Sequence, residues 1–438
     1  MSALPRPFHR LLAAATTSNL GDGLVLVGAP LLALELTREP ALIGGIQAAF
    51  TLPWLVFALA AGALADRHGR RGLLVGAAGA RALVLIVVGT AAVAGHLSLP
   101  LLYLAVVLLG CGEVLFDTTS QSLLPDVVSR EQLGTANGRL IGVQTVLRNF
   151  AGAPLAGVLV GVAGAAVLLT PAILYLVTAA LLVGLPAAYR PPPRPPARLR
   201  VDVREGLDHL LGNRTLRAIA LLGGALNLAN AAYFGIFVLF VVGEDAPMGL
   251  PAAAYGALAA ALAAGSVVGS LVAGRLERHL GPRRTLIGGI LLCSIAMCVP
   301  LVTAGVAPIA VMAVVLGAGS VASNVVSVSS RQRIVPGALL GRVNASFRLV
   351  GMGAMPLGAL LGGMLASATS LRTTFAAAVV VQFLAVLLLH RPITDRSLDP
   401  VEAAPADEGV GTVAEAQAAV QGGVSRATPP TRPGRPLR

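Results

Sequence analysis

The stretch AGALADRHGRRGLL, residues 61–74, sets Asp66, Arg67, His68, Arg70 and Arg71 between two long apolar runs. Side chains that need water belong at a boundary with it, and the runs on either side belong away from it. The rest of the chain repeats this alternation. Of its 438 residues 56% are hydrophobic and 12% charged, where soluble domains are about one quarter charged, and the mean hydropathy is +0.82. Apolar stretches of roughly 20 residues recur, each long enough to cross about 30 Å of hydrocarbon as a helix. A transmembrane barrel would show short alternating segments instead. The composition predicts an all-α integral membrane protein.

The apolar runs place twelve spans at about residues 11–34, 42–65, 73–95, 98–121, 136–160, 168–188, 217–242, 251–274, 285–304, 307–329, 343–367 and 373–390. The first follows Arg6, His9 and Arg10 as a signal peptide would, but it is too long and too polar inside, and reads as an uncleaved span. Cys111, Cys293 and Cys298 all fall inside spans, so neither a disulfide framework nor a metal site is indicated. The net charge of +12 carries no lysine, and its arginines are spread over short loops; that spread argues against nucleic acid as a partner.

Alternate loops differ sharply in charge. One side holds Arg6 and Arg10, the cluster at Arg67, Arg70 and Arg71, then Arg130 and Arg139, the run from Arg190 to Arg217, and further groups around Arg275, Arg331 and Arg391. The other holds only Arg38 and Arg372, beside Glu35, Glu39, Glu244 and Asp245. The positive-inside rule then puts both termini in the cytoplasm, with the chain in the cell membrane. The proline-rich segment after residue 189 divides the chain: 1–190 is expected to form one six-helix bundle, 191–216 a cytoplasmic linker, 217–390 a second bundle, and 391–438 a disordered cytoplasmic tail. A repeat supports the division. AGALADRHGRRGLLVG (61–76) aligns with AGRLERHLGPRRTLIG (273–288), pairing Gly62 with Gly274, Gly69 with Gly281 and Arg71 with Arg283. Duplicated halves are the arrangement by which many secondary transporters place a site at the repeat interface.

Gly62, Leu64, Ala65, Asp66, Arg67, Gly69, Arg70 and Arg71 together resemble the loop signature between spans two and three of the major facilitator superfamily, G-x-L-a-D-r-x-G-r-[rk]. SNLGDGL (18–24), GEVLFDTTSQSLLPDVV (112–128), ANGRL (136–140) and RQRIVPGALLGRV (331–343) are similar to the macrolide-efflux branch of its drug:proton antiporters. The span-five antiporter signature G-P-x-x-G-G is only partly met, by Ala153, Pro154 and Gly157. The resemblance implies the major facilitator fold, twelve helices in two pseudo-symmetric bundles, and transport by alternating access in a functional monomer. It also implies that Gly62, Asp66, Arg67, Gly69, Arg70, Arg71 and Asp117 form a conformational latch. In the family Asp66 meets the start of span eleven, here near Gly341 to Asn344, where a helix dipole favours an anion; the arginines would bridge to Asp117 or Asp126. The glycines are expected to allow close backbone approach.

Charges inside a bilayer cost a few kcal/mol each by insertion scales and usually face a cavity or a partner. Asp22 in span one, Glu113 in span four and Arg148 in span five are therefore the candidates for proton coupling and substrate binding. Asn19, Phe116, Asn227, Asn230, Phe234, Ser323 and Asn324 are candidate cavity-lining residues, on stripes in spans one, four, seven and ten. Static alternatives stand beside these: Asp22 as the cap of a helix break, Glu113 in a fixed ion pair, Arg148 as packing, and the stripes as helix-packing contacts. Arg81 and Arg348 lie near span ends, where snorkelling accounts for them.

The expected function is proton-coupled efflux of a small hydrophobic or amphipathic compound, with a proton gradient in place of a cofactor; uptake or facilitated diffusion of a nutrient is the alternative. An enzyme is disfavoured, because all six histidines lie in loops or at span edges and no intramembrane nucleophile and base pair is evident. A Walker loop needs a lysine this chain lacks. If Asp66 is a latch rather than part of a topogenic loop, Asp66→Asn lowers transport while membrane insertion, read by protease protection, is unchanged.

Overall fold

The computed structural model describes residues 4–129, 132–186 and 199–398. Its helices in chain order are α1 (Arg6–Leu36), α2 (Pro40–Val56), α3 (Ala58–Arg67), α4 (Arg70–Val93), α5 (Leu99–Val127), α6 (Leu133–Thr145), α7 (Ala153–Val162), α8 (Ala166–Val183) and α9 (Leu199–Gly212). They continue as α10 (Arg214–Val241), α11 (Ala252–Leu280), α12 (Pro282–Ala296), α13 (Val299–Val302), α14 (Val306–Ile334), α15 (Gly337–Ala368), α16 (Leu371–Leu389) and α17 (Asp395–Leu398). Among the described residues, extended pairing is limited to one bridge, Val242 with Leu250.

Among the described residues, ten helical segments are long and apolar enough to cross a membrane: α1, α4, α5, α8, α10, α11, α12 with α13, α14, α15 and α16. At the expected second and fifth spans the chain is helical but interrupted. In the second, α2 contains Pro53 and gives way to α3 at Phe57. In the fifth, a π-helical stretch, Val146–Gly152, separates α6 from α7. Pro154 follows at once and has no amide to continue an α-helical ladder, and π-turns arise at such disruptions.

Within the amino-terminal half α8 packs on α1 and α4, and within the carboxy-terminal half α14 packs on α11 and α12 while α16 packs on α10. The halves meet through α2 with α15, α2 with α10, and α7 with α11. The approaches are backbone to backbone. A Cβ on Gly44 would lie 2.6 Å from the Ala359 carbonyl, one on Gly363 2.8 Å from that of Pro40, and one on Gly157 2.8 Å from that of Ala252. These contacts cluster toward the arginine-poor end, where Arg38 also donates to the Val242 carbonyl at 2.8 Å and the Ala41 amide to Ser367 at 2.9 Å. The bundle is thus closed at that end.

The glycines of the opening motif behave differently. Gly62 and Gly69 have nothing within 4 Å of an added Cβ, and Gly69 has φ −61°. The expected close approach is absent at both in this state. Their repeat partner Gly281 has φ 82°, which does favour glycine. The tail also departs from expectation at its start: Ile393 and Leu398 are fully buried, and Asp395 accepts a hydrogen bond from the Arg283 amide at 2.9 Å, capping α12. Residues 399–438 of that expected tail, Arg130, and residues 187–198, the end of the expected first bundle and the first part of the linker, lie outside the described residues.

Overpacking a tight site costs about 1–3 kcal/mol, which is roughly a five- to hundredfold shift in a two-state equilibrium. Gly44→Leu should therefore open the arginine-poor end. A cysteine introduced at Gln47 should then react faster with an impermeant maleimide than in the parent.

Candidate functional site: a charged cluster beside a polar cavity

Helix α1 runs unbroken through Asp22, so the aspartate caps no helix break. Its flanking glycines serve packing. Gly21 lies against the Tyr175 ring, with a Cβ there only 2.9 Å from it, and Gly23 lies against the Arg148 carbonyl. Asp22 is 3% exposed and accepts hydrogen bonds from Arg81 and, at 2.7 Å, from the Tyr175 hydroxyl. Arg81 also reaches Ser18 at 3.2 Å and stacks its guanidinium 3.9 Å from the Tyr175 ring centroid. Arg81 does not snorkel. It is 2% exposed, enclosed by α1, α5 and α8, and its stem lies along Gly112.

Glu113 is 1% exposed and accepts a hydrogen bond from Arg148 at 2.6 Å; its second carboxylate oxygen, Oε2, has no hydrogen-bond partner among the described residues. Arg148 sits in the π-helical stretch, where the altered helical register redirects side chains relative to an α-helix. Asp117 lies one turn beyond Glu113 on α5 and interacts electrostatically with Glu113, Arg148, Arg81 and Arg348. In this state Asp117 sits with this central cluster, and Arg70 at the start of α4 pairs with Asp126 at the end of α5. That pair lies within one half. Arg67 and Arg71 are at the same end, and the side chain of Asp66 lies outside the described residues. In the second repeat Glu277 pairs with Arg333 at 3.0 Å, also within one half.

Two adjoining cavities lie beyond this cluster. The larger, about 460 Å³, is in the carboxy-terminal half and is lined by Asn227, Asn230 and Phe234 of α10, Ser320, Ser323, Asn324, Ser327 and Arg331 of α14, Arg348 of α15 and Gln382 of α16, among others. The smaller, about 290 Å³, shares Asn227, Asn230 and Phe234 and reaches Gln47, Leu26 and Arg148 of the other half. Five sequence-derived cavity residues thus come together. Asn227 and Ser323 bond carbonyls of neighbouring helices, Gly351 at 3.1 Å and Leu286 at 3.2 Å, so they also join helices. Asn19 and Phe116 do not line either cavity. Asn19 turns back on the Ala15 carbonyl at 2.8 Å, and Phe116 is packed in an apolar cluster with Leu123 and Leu74.

Sequence reasoning missed Arg81, Tyr175, Gln382 and the two cavity arginines, Arg331 and Arg348. Gln382 donates to Asn230 at 3.0 Å and accepts from Ser294 at 2.8 Å. A glutamine inside the otherwise apolar run Phe375–Leu389 of α16 was the available signal for it. Arg348 lies 5.0 Å from the ring centroid of Trp54 in the opposite half.

A family model described as a transmembrane secretion effector matches residues 4–417. The chain belongs to this major facilitator family of transporters. It is 29% identical over 339 residues to the enterobactin exporter of Escherichia coli O1:K1 / APEC, covering 75% of this chain and 78% of that one. An uncharacterized major-facilitator-type transporter of Mycobacterium tuberculosis is 39% identical over 133 residues, 30% of each chain, so the match spans under a third of that relative's length. Among solved structures, a bacterial homologue of the human lysosomal transporter Spinster, inward-facing and unoccupied, superposes with a TM-score of 0.69 at 16% identity, covering 90% of this chain and 97% of that one. An inward-facing bacterial homologue of ferroportin gives 0.65 at 17%, covering 89% and 100%. These likenesses show the fold. The transporter is a multi-pass membrane protein and not an enzyme.

Removing one partner of a buried ion pair leaves an uncompensated charge, at about 3–5 kcal/mol. Arg81→Gln should lower the melting temperature of the purified transporter, and adding Asp22→Asn should recover much of the loss. Equal melting of Arg81→Gln and wild type would show that the pair contributes little.

Proposed function

We propose that this transporter exports a small hydrophobic or amphipathic compound, a drug or natural product, by proton-coupled alternating access. The observation that carries the reading is Glu113, buried beside Arg148, with Arg148 itself on the wall of the smaller cavity. Desolvation favours the neutral carboxyl and a nearby guanidinium favours the carboxylate. A substrate that draws Arg148 away therefore favours proton uptake by Glu113, and proton release restores the pair. Asp117 adds to this. The amino-terminal half holds three buried or half-buried acids, Asp22, Glu113 and Asp117, against two arginines, Arg81 and Arg148. Arg348 of the other half also faces Asp117 and completes the cluster. Asp22, closed in by Arg81 and Tyr175, is the steadier of the three and serves as a fixed counter-charge.

On this reading α2 with α3, and α6 through α7, are the second and fifth of twelve spans. The arginine-rich loops and both termini face the cytoplasm of a bacterial inner membrane, and the state closed at the arginine-poor end is inward-open. The enterobactin exporter among the relatives supports export as the direction. The partial match to the span-five antiporter signature supports the drug-antiporter and macrolide-efflux assignment less well, so resistance to toxic amphipaths is the broader expectation. The latch, with Asp66 meeting the start of α15, belongs to the opposite, outward-open state.

Screening toxic amphipaths against expressing and non-expressing strains identifies a substrate. In proteoliposomes, a proton gradient should drive that compound across the membrane, and Glu113→Gln should abolish the driven flux while leaving counterflow intact. Gradient-driven flux unchanged in Glu113→Gln would overturn the coupling.

A further inference from the structure

The larger cavity is polar and, at its mouth, one-signed. Among the described residues no aspartate or glutamate lines it, while Arg331 and Arg348 both do, with Asp117 of the other half within electrostatic reach of Arg348. The acid nearest by sequence on the adjoining helix, Glu277, is already paired with Arg333. Neither Arg331 nor Arg348 makes a salt bridge among the described residues. Each has one guanidinium face against an aromatic ring: Arg331 lies 3.9 Å from the Phe347 centroid, and Arg348 5.0 Å from that of Trp54. Stacking occupies a face and leaves the in-plane N–H donors available, the arrangement suited to bidentate recognition of carboxylate or phosphate. One donor of Arg331 is used, Nε to the Ser327 carbonyl at 3.3 Å, which orients the side chain. Deeper in, Leu226, Phe234, Leu262 and Leu316 supply an apolar wall. The volume of about 460 Å³ is of the size that holds drug-like ligands, about 300–1,000 Å³.

We propose that this cavity selects an amphipathic organic anion, its anionic oxygen head held by Arg331 and Arg348 and its apolar body along α10 and α14. The assignment rests on the export reading for its place in transport and narrows the substrate to a charge class. It also divides labour between the halves: acids exchange a proton in one, and arginines take the anion in the other. The cross-half stack of Arg348 on Trp54 makes the head site sensitive to how the halves sit. A headgroup that recruits Arg348 loosens that stack.

The test is equilibrium binding to the purified full-length protein in phosphatidylcholine nanodiscs, with dansylglycine and its neutral amide, dansylglycinamide, as matched fluorescent probes. At low salt the carboxylate should bind at least about tenfold more tightly than the amide, and the ratio should shrink as ionic strength rises. It should fall close to one in Arg331→Gln with Arg348→Gln, while amide binding persists. Trp54 is the single tryptophan of the chain, so its emission should change with the carboxylate and less with the amide. A fluorescent lysophosphatidate run in parallel separates two sources of the same chemistry. Its tighter binding assigns the head site to a lipid, that of dansylglycine to a soluble anion, and both require the arginines. Equal affinity for carboxylate and amide in the wild type overturns the proposal, as does a ratio retained in the double variant. Binding is read without a gradient. Anion preference without driven flux would leave this site standing and remove the coupling, and driven flux with equal binding would do the reverse.

Discussion

A guanidinium carried into the interior of a membrane-spanning bundle has no water to turn to and must be matched by groups the fold supplies. Arg81 and Arg148 answer that constraint in different ways. Arg81 joins three helices, bonding Asp22 and Ser18 of α1 and Tyr175 of α8 from its place on α4, with only its Nε lacking a partner among the described residues. Arg148 satisfies one oxygen of Glu113 and leaves the other without a partner. The first arrangement fixes the amino-terminal half as a rigid body. The second leaves one ionisable group on a cavity wall whose balance a ligand or a proton can change. A firmly tied bundle with one adjustable pair on its cavity wall suits a mechanism in which bundles rock as units.

The halves are alike in architecture and unlike in polarity. The amino-terminal half buries acids and bases together, whereas the larger cavity of the other half is built from amides, hydroxyls and arginines. Asparagine and serine side chains there lend some of their capacity to neighbouring helices, Asn227 to the Gly351 carbonyl and Ser323 to the Leu286 carbonyl. Asn324 makes no such bond among the described residues. A polar wall that is partly committed to holding helices together, and partly free, resists collapse of the cavity without filling it.

Much of this was legible in the sequence, and the rest was not for physical reasons. The superfamily loop, the duplication and the charge bias stand out because water demands polarity at every helix boundary. The stripes of α10 and α14 were legible because helical periodicity places Asn227, Asn230 and Phe234 on one face. Depth was not. Arg81 is ten residues past Arg71 and reads as a residue near a membrane edge, yet the packing of α1, α5 and α8 encloses it. Phe116 shares a turn with Glu113 but faces an apolar cluster, a distinction that only the neighbouring helices make. Close backbone approach also fell elsewhere. The loop-motif glycines Gly62 and Gly69 stand in open space, while Gly44, Gly363 and Gly157 of the partial span-five signature carry the contact between halves. A single state shows only those glycines its own interface uses.

The short helix α17 has a bearing on how the chain is made. Asp395 caps the start of α12, the Pro392 carbonyl receives the Thr215 hydroxyl at 3.2 Å from the start of α10, and Ile393 and Leu398 fill the apolar cluster between α10, α12 and α14. Three helices of the second half thus wait for a segment synthesised after all of them. On a ribosome, whose exit tunnel still covers the newest residues, that half completes its packing only once the chain behind α17 has been made.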